Sequence, residues 1–294
     1  MSGCATPAND ARPIILPSVR DVVLVASGKG GVGKSTITVN LAAALSERGL
    51  RVGVLDADVT GPSVALLLGS GEGIDLDEDG RAQPAVTHGM PSISVGNLLP
   101  PEAALTWKGP LIAQAVEQLF TEMAWPDLDV LLVDLPPGTG DVHLTILERV
   151  AVSGAVIVTT PQRLATVDAE RGIAMFHELD IPVFGIVENM AGYACPCCGE
   201  VQALFPGGTA TSLAARRHVA HLGAVPVDPA AQAAADAGTP LVLASPGSPA
   251  ASALRTVAER VIEALERERA ARRRAGAAGP DASFDDFWKG LTEP

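Results

Sequence analysis

The chain has 294 residues, a formal net charge of −13 and 47% hydrophobic residues, which suits one large α/β domain or two small ones. The acidic balance argues against broad attraction to nucleic acid or an anionic membrane, and no apolar run approaches the roughly 18 residues of a membrane span. Residues 1–19, rich in Pro and Ala, predict a disordered leader without the features of a secretory signal. We therefore expect a cytoplasmic protein with neither nucleic acid nor membrane as a partner.

A glycine-rich loop follows the first predicted strand, residues 21–27. It reads GKGGVGKST and satisfies the pattern G-x-x-x-x-G-K-[ST]. A helix is predicted directly after it, over 34–48. This order of strand, loop and helix predicts a nucleotide site, because backbone N–H groups and a helix start converge on phosphate oxygens there. The predicted nucleotide-binding residues of the loop are Gly28, Lys29, Gly30, Gly31, Val32, Gly33, Lys34, Ser35 and Thr36.

Two of the four lysines of the chain, Lys29 and Lys34, lie in this loop. We expect Lys34 to reach the β- and γ-phosphates and the Ser35 hydroxyl to ligate Mg²⁺. A lysine at position 29 resembles the deviant Walker A group, which includes Mrp/ApbC, MinD, ParA, nitrogenase iron protein and arsenite-pump ATPases. That resemblance implies that Lys29 reaches the nucleotide of a partner subunit, where a second ammonium stabilises the transferred phosphoryl group.

The second predicted strand, residues 51–57, ends in Asp56-Ala57-Asp58. Carboxylates at the carboxyl end of a parallel strand face the γ-phosphate region, and one of them can position the attacking water. We predict that Asp58 has this role, so that the predicted catalytic residues are Lys29, Lys34 and Asp58. Residues 70–89 then predict an acidic, turn-rich loop or hairpin.

A further strand, residues 129–134, ends in a carboxylate that matches the Walker B form. We expect Asp134 to hold Mg²⁺ directly or through water, and the Gly138 amide in the next loop to sense the γ-phosphate. The alternation of strands and helices predicts an α/β protein of the P-loop NTPase fold, a mostly parallel sheet with helices on both faces. Other predicted strands cover 90–97, 154–160 and 182–188; other helices cover 109–123, 164–179, 209–220 and 248–270. We expect one ATPase domain, residues 20–270.

Three cysteines are close together near residue 195. Cys195 and Cys198 form a C-x-x-C with Cys197 between them. Two thiolates cannot close a four-ligand site, but two chains related by a two-fold axis supply four. The residues alone leave open a cluster or a zinc ion shared by two chains, a redox-active dithiol, or free thiols. They also leave open whether Cys197 is a ligand.

The C-terminal part is rich in alternating Glu and Arg. Pairs such as Glu268–Arg272 predict an exposed helix that is stabilised by its own surface charges. Gly276 and the residues after it are expected to end the helix and leave a flexible tail over 271–294. The aromatic stretch 283–288 either folds back on the protein or serves as a docking peptide.

Several motifs together resemble the Mrp/ApbC ATPases, also called iron–sulfur cluster carrier proteins, over about residues 20–262. The motifs are DADVTGPS at 56–63, WKGP at 107–110, DLPPGTGD at 134–141, TPQ at 160–162, and ENM at 188–190 before the cysteines. The resemblance implies that Asn189 lies near the adenine, with ATP and Mg²⁺ in the site. It also implies a labile [4Fe–4S] cluster shared by Cys195 and Cys198 of two protomers.

The predicted function is therefore a homodimeric, slowly hydrolysing P-loop ATPase that carries an iron–sulfur cluster. Its expected partners are cluster-assembly scaffolds and the apo-proteins that receive the cluster. A MinD- or ParA-type positioning ATPase is the alternative, favoured by the arginines at 267–274 and the aromatic tail. A third hypothesis is a non-catalytic scaffold stabilised by zinc.

Overall fold

A mostly parallel sheet forms the centre of the computed structural model, which describes residues 14–59, 61–71, 75–78, 80–94, 109–195, 197–198, 200–205 and 208–277. Side chains at 109–113, 141–142 and 275–277 are outside this description. The strands are β1 Val22–Ser27, β2 Val52–Asp56, β3 Asp75–Leu76, β4 Ala82–Gln83, β5 Ala85–Thr87, β6 Met90–Ser94, β7 Val130–Asp134, β8 Gly154–Thr159, β9 Val183–Ala194, β10 Val201–Gln202 and β11 His221–Val227. The helices are α1 Lys34–Glu47, α2 Val64–Leu68, α3 Gly109–Thr121, α4 Asp141–Arg149, α5 Arg163–Glu178, α6 Thr209–Arg217, α7 Pro229–Asp236, α8 Leu241–Ala244 and α9 Pro249–Ala277.

The parallel strands lie in the order β11-β9-β8-β1-β7-β2-β6. The antiparallel strands β5 and β10 pair with β6 and with the end of β9. In this arrangement Asp56 pairs in register with Asp134, and Val25 pairs with Asp134 from the other side. The carboxyl ends of β1, β2 and β7 therefore meet at one edge, where ligands bind in open α/β sheets.

Helices cover both faces of the sheet, and alternate side chains of β1 pack against helices on opposite faces. Val23 and Val25 belong to one buried cluster with apolar residues of α1 and α9. Val22 and Leu24 belong to a second cluster with α3 and α5, including Phe120 and Phe176. Parallel strands buried on both faces consist of nearly continuous apolar residues, and these do. The predicted fold class is confirmed.

Helix α9 differs from the exposed helix that the sequence predicted. It runs to Ala277, past the predicted end at 270 and past Gly276, and it buries an apolar stripe with helical spacing. Towards its end, Arg269 Nη2 lies 2.6 Å from Asp21 Oδ2 at the start of β1. The stripe comprises Ala250, Ala251, Leu254, Val257, Ala258, Val261, Ala264 and Leu265. The predicted pair Glu268–Arg272 does form, at 2.8 Å.

The end of the predicted leader is also part of the fold. Ile14 forms a β-bridge with Val150, Val19 forms one with Leu128, and Leu16 is buried. The expectation of disorder up to residue 19 is therefore wrong for residues 14–19. Residues 1–13 and the aromatic stretch 283–288 lie outside the described residues, as does the Trp107-Lys108 pair.

Within 70–89, β3 and β4 pair antiparallel, which agrees with the predicted hairpin. Sequence reasoning did not predict β11, α4 or α7, whose bounds are given above. Among the described residues, no helix combines the length and apolarity needed to cross a membrane.

Candidate nucleotide site and cysteine hairpin

The glycine-rich loop connects the end of β1 to the start of α1 and borders a cavity of about 320 Å³. Gly31 and Gly33 have φ angles of 77° and 81°, in the left-handed region that favours glycine. A Cβ at Gly28 would collide with the backbone of Asp168, and one at Gly33 with the amide of Asn189. The left-handed glycines fit the backbone nest that cradles a phosphate, while the close contacts at Gly28 and Gly33 show how tightly the loop is packed against the protein.

Lys34, Ser35 and Thr38 of α1 converge on the Asp134 carboxylate at the end of β7. Lys34 Nζ lies 2.7 Å from Oδ2, and the Ser35 hydroxyl donates to the same oxygen at 2.6 Å. The Thr38 hydroxyl donates to Oδ1 at 2.6 Å. Burial raises the pKa of Asp134, while Lys34 and the two hydroxyls oppose that shift. A carboxylate beside a hydroxyl is an oxygen-ligand set that suits Mg²⁺.

Asp56 and Asp58 have different surroundings after β2. Asp56 is fully buried and accepts hydrogen bonds from the Asp58, Ser63 and Val64 amides and the Ser94 hydroxyl. It therefore fixes the turn that follows the strand. Asp58 lines the cavity, and its Oδ2 lies 3.9 Å from Lys34 Nζ. Of the two carboxylates, only Asp58 is placed to face a bound phosphate.

The buried Asp56 carboxyl gives a testable pH dependence of stability. Burial, together with the nearby Asp134 carboxylate, raises the pKa of Asp56 from 3.8 to about 7. Between these values the folded protein holds a proton that the unfolded chain has released. The stabilisation is therefore complete below the unfolded pKa and is lost as the pH rises towards 7. We expect this group to lower the unfolding free energy by up to about 1.4 kcal/mol per pH unit in that window.

Urea unfolding of the nucleotide-free protein from pH 4.5 to 8 measures this slope. Asp56→Asn, which is neutral throughout, should have a flatter profile than the wild type. The control is Asp127→Asn, whose side chain is 80% exposed and should leave the slope unchanged. Equal slopes for wild type and Asp56→Asn would contradict the assignment.

The loop after β7 is attached to the end of β1. The Leu135 amide donates to Val25 O, and the Gly138 amide donates to Ser27 O at 2.9 Å. Gly138 has a φ of 94°, which again favours glycine. Lys29, in contrast, is half-buried, and its Nζ lies 3.5 Å from Gln162 Oε1. The structure thus brings Gly138 to the phosphate loop and places the Lys29 side chain beside Gln162.

Strand β9 connects the phosphate loop to the cysteines. It continues beyond the predicted end at 188, and its Asn189 Nδ2 donates to Val32 O at 2.8 Å. After β9 the chain turns into β10, and the Cys195 amide donates to Glu200 O at 2.9 Å. The chain from Asn189 to Cys195 can span at most about 20 Å, and Met190, with a φ of 56°, interrupts its extended course. The C-x-x-C lies at the tip of the hairpin that β9 and β10 form.

The cysteines at this tip differ in exposure. Cys195 is half-buried, while Cys197 and Cys198 are exposed. Hydrogen bonds from the backbone N–H of Cys198 and of Cys197 lower the pKa of the Cys195 thiol. This shift favours the thiolate, which is the form that ligates metal. Within the part of the chain that the structure describes, no three Cys, His, Asp or Glu side chains gather as a metal site.

Some residues of the nucleotide site were missed from the sequence. Thr38 lies one helical turn after Lys34, and that spacing could have placed its hydroxyl on the same face. Ser94 and the buried His143 carried no such signal, because only the tertiary fold brings them near Asp56 and Asp58. The side chain of Asp141 and the residue Thr60 are outside the described part.

Comparisons with known proteins agree with this geometry. The family described as "ParA: NUBPL iron-transfer P-loop NTPase" matches residues 18–262. An "Iron-sulfur cluster carrier protein" of Deinococcus radiodurans is 50% identical over 244 residues, which cover 83% of this chain and 69% of that relative. Its namesake in Escherichia coli K12 is 43% identical over 248 residues, which cover 84% of this chain and 67% of that relative.

Two solved structures are similar over most of the chain. A nucleotide-binding protein of Archaeoglobus fulgidus, in complex with ADP, is 39% identical with a TM-score of 0.67, covering 76% of this chain and 88% of that one. The cell division ATPase MinD of Pyrococcus furiosus is 22% identical with a TM-score of 0.63, covering 83% of this chain and 99% of that one. At that identity the likeness to MinD shows the fold alone.

Proposed function

The chain belongs to the family of NUBPL iron-transfer P-loop NTPases, and we propose that it is an ATP-hydrolysing carrier of an iron–sulfur cluster. One observation carries the proposal. A single strand, β9, holds the phosphate loop through the Asn189–Val32 hydrogen bond and presents Cys195 where it ends. A nucleotide site and a thiolate site joined by one strand are what a nucleotide-controlled metal carrier requires.

ATP is the proposed nucleotide, and each polar residue of the site has a role toward it. Lys34 binds the β- and γ-phosphates, and Asp58 orients the attacking water. Ser35 and Asp134 hold Mg²⁺, which neutralises charge on the phosphate oxygens when bound. The ADP in the Archaeoglobus fulgidus relative supports a nucleotide at this loop. Lys29, whose Nζ lies 3.5 Å from Gln162 Oε1, serves the nucleotide of a second subunit.

The proposed cargo is a [4Fe–4S] cluster held between two copies of the chain. Cys195 and Cys198 supply two thiolates from each copy, which gives the four ligands that such a cluster takes. The names of the bacterial relatives support iron–sulfur carriage. The recipients are apo-proteins and the donors cluster-assembly scaffolds, and we place the protein in the cytoplasm.

Nucleotide state is proposed to set the affinity for the cluster. The Gly138 amide donates a hydrogen bond to Ser27 O, at the start of the phosphate loop. A γ-phosphate bound there either breaks or strengthens this hydrogen bond. Movement of the loop passes to the Val32–Asn189 bond and along β9 to the cysteine hairpin. The proposed ATP hydrolysis is slow, because its role is to time this switch.

A positioning ATPase of MinD or ParA type would share the fold but would leave the C-x-x-C hairpin without a use. Anaerobic reconstitution with iron and sulfide tests the preferred function. We expect the visible absorbance of a thiolate-bound cluster, about four irons per two chains, and a dimeric mass. Monomeric protein that keeps its full iron content would contradict the shared cluster. Tightly bound zinc without iron uptake would favour the scaffold hypothesis.

A further inference from the structure

Strand β9 bends at Met190, between the part that holds the phosphate loop and the part that leads to the cysteines. Met190 has a φ of 56°, in the small left-handed region that side chains other than glycine rarely adopt. The register against β11 shifts at the same place, because β9 advances from Asn189 to Tyr193 while β11 advances only from Val225 to Val227. Such bulges re-aim the chain beside functional sites, and backbone strain persists where surrounding contacts fix it.

On one side of the bend, two neighbouring residues of β9 lie against one turn of the phosphate loop. Asn189 Nδ2 donates to Val32 O at 2.8 Å. A Cβ added to Gly33 would collide with the same Asn189 nitrogen and would lie 3.8 Å from Met190 Cε. Gly33 is the N-cap of α1 and lines the nucleotide cavity. A shift of this turn when a phosphate binds is therefore felt directly by Asn189 and Met190.

On the other side of the bend, Gly192 packs against β10 without room for a side chain. A Cβ there would lie 2.6 Å from Gln202 O. Strand β10 also pairs with the last two residues of β9, directly before Cys195. Only Met190 and Ala191 therefore separate the residue that bonds to the phosphate loop from the residue that is fixed against the cysteine hairpin.

We propose that Met190 is a positioning residue whose left-handed backbone is the stiff joint through which nucleotide binding at Gly33 moves the cysteine hairpin. A methionine in this conformation occupies a narrow range of φ and ψ, whereas glycine populates a wide one. A movement of Asn189 is therefore passed on to the hairpin instead of being absorbed at the bend. The inference rests on the proposed function, in which nucleotide state sets the affinity for the cluster, and it names the residue that transmits this control.

Alkylation of the half-buried Cys195 by iodoacetamide, located by mass spectrometry in the reduced, cluster-free full chain, reports on the hairpin. In the wild type we expect saturating MgADP with aluminium fluoride to change this rate by at least about fivefold, the weaker end of typical coupling between two sites. In Met190→Gly the rates with and without nucleotide should be equal. Met190→Leu keeps the size and the narrow backbone range, so it should keep the wild-type ratio. Asp180→Gly, the same change at a φ of 54° before β9, is the matched control and should also keep it.

Glycine is favoured at positive φ, so Met190→Gly should fold, and its unfolding midpoint checks this. A wild-type ratio in Met190→Gly would overturn the proposal, as would a ratio near one in Met190→Leu or Asp180→Gly. A wild type whose alkylation ignores the nucleotide would overturn it too. Iron uptake by the same protein after reconstitution with iron and sulfide is a separate measurement. Its success would leave cluster carriage standing although the joint had failed, and its failure would count against the proposed function itself.

Discussion

Replacing Lys34 with alanine should lower ATP turnover by at least about a hundredfold, because it removes a preorganised positive charge from the transferred phosphoryl group. The side chain lies within 4 Å of both site carboxylates, at 2.7 Å from Asp134 and 3.9 Å from Asp58. Phosphate release under saturating MgATP measures the loss. Cluster transfer to an apo-protein should also slow under ATP if nucleotide state controls the cargo.

The variant leaves Asp134 buried without its cation, so the unfolding midpoint must be measured beside the activity. Lys29→Ala supplies the matched comparison, because Lys29 is half-buried and its described side-chain contact is with Gln162. If Lys29 acts on the nucleotide of the partner, this variant loses turnover while its affinity for ADP stays at the wild-type value. Normal turnover in Lys29→Ala would refute the action in trans, and transfer at the wild-type rate in Lys34→Ala would refute coupling.

The fold class and the phosphate loop could be predicted because both depend on short-range patterns. The loop is specified by the spacing of Gly28, Gly33 and Lys34, and the flanking strand is a continuous apolar run. Predicted and observed bounds differ by one residue for β1, at 21–27 against Val22–Ser27. Gly33, Lys34 and Ser35 of the motif line one cavity, and Gly28 packs against Asp168.

Features that depend on tertiary packing were not predictable in the same way. The Glu and Arg residues of α9 suggested an exposed helix, yet residues such as Leu254 and Val261 form an apolar stripe that α1 and β11 cover. Charges on the outer face obscured that stripe. Strand β11 was missed because Gly223 and Pro226 interrupt its apolar pattern.

The link between the two sites was also invisible in the sequence. Strand β9 was predicted to end at 188, because Asn189 and Gly192 are poor strand residues. In the structure β11 and β10 pair with this part of β9, and the pairing extends it to Ala194. Partner strands therefore override local propensity, and they do so at the segment that joins Asn189 to Cys195.

Replacing Cys195 or Cys198 with alanine should abolish cluster retention, since in the proposed shared site either change removes two of the four ligands. Cys197→Ala is the matched control. It keeps the backbone N–H groups that lower the pKa of Cys195, and it removes an exposed thiol whose own hydrogen bond is the smallest contribution to that shift. We expect it to bind iron and sulfide like the wild type. Iron content, visible absorbance and mass after anaerobic reconstitution measure all three variants.

The outcomes separate the ligand arrangements that the sequence left open. Loss of the cluster in all three variants would make Cys197 a third ligand and contradict the symmetric pair of thiolates. If Cys195→Ala kept the cluster, the half-buried Cys195 thiol would not be a ligand. This would hold even though hydrogen bonds in the turn that also positions Cys198 lower its pKa. Loss only in Cys195→Ala and Cys198→Ala, together with a reduced dimer fraction, would mean that cargo and subunit association depend on the same two thiolates.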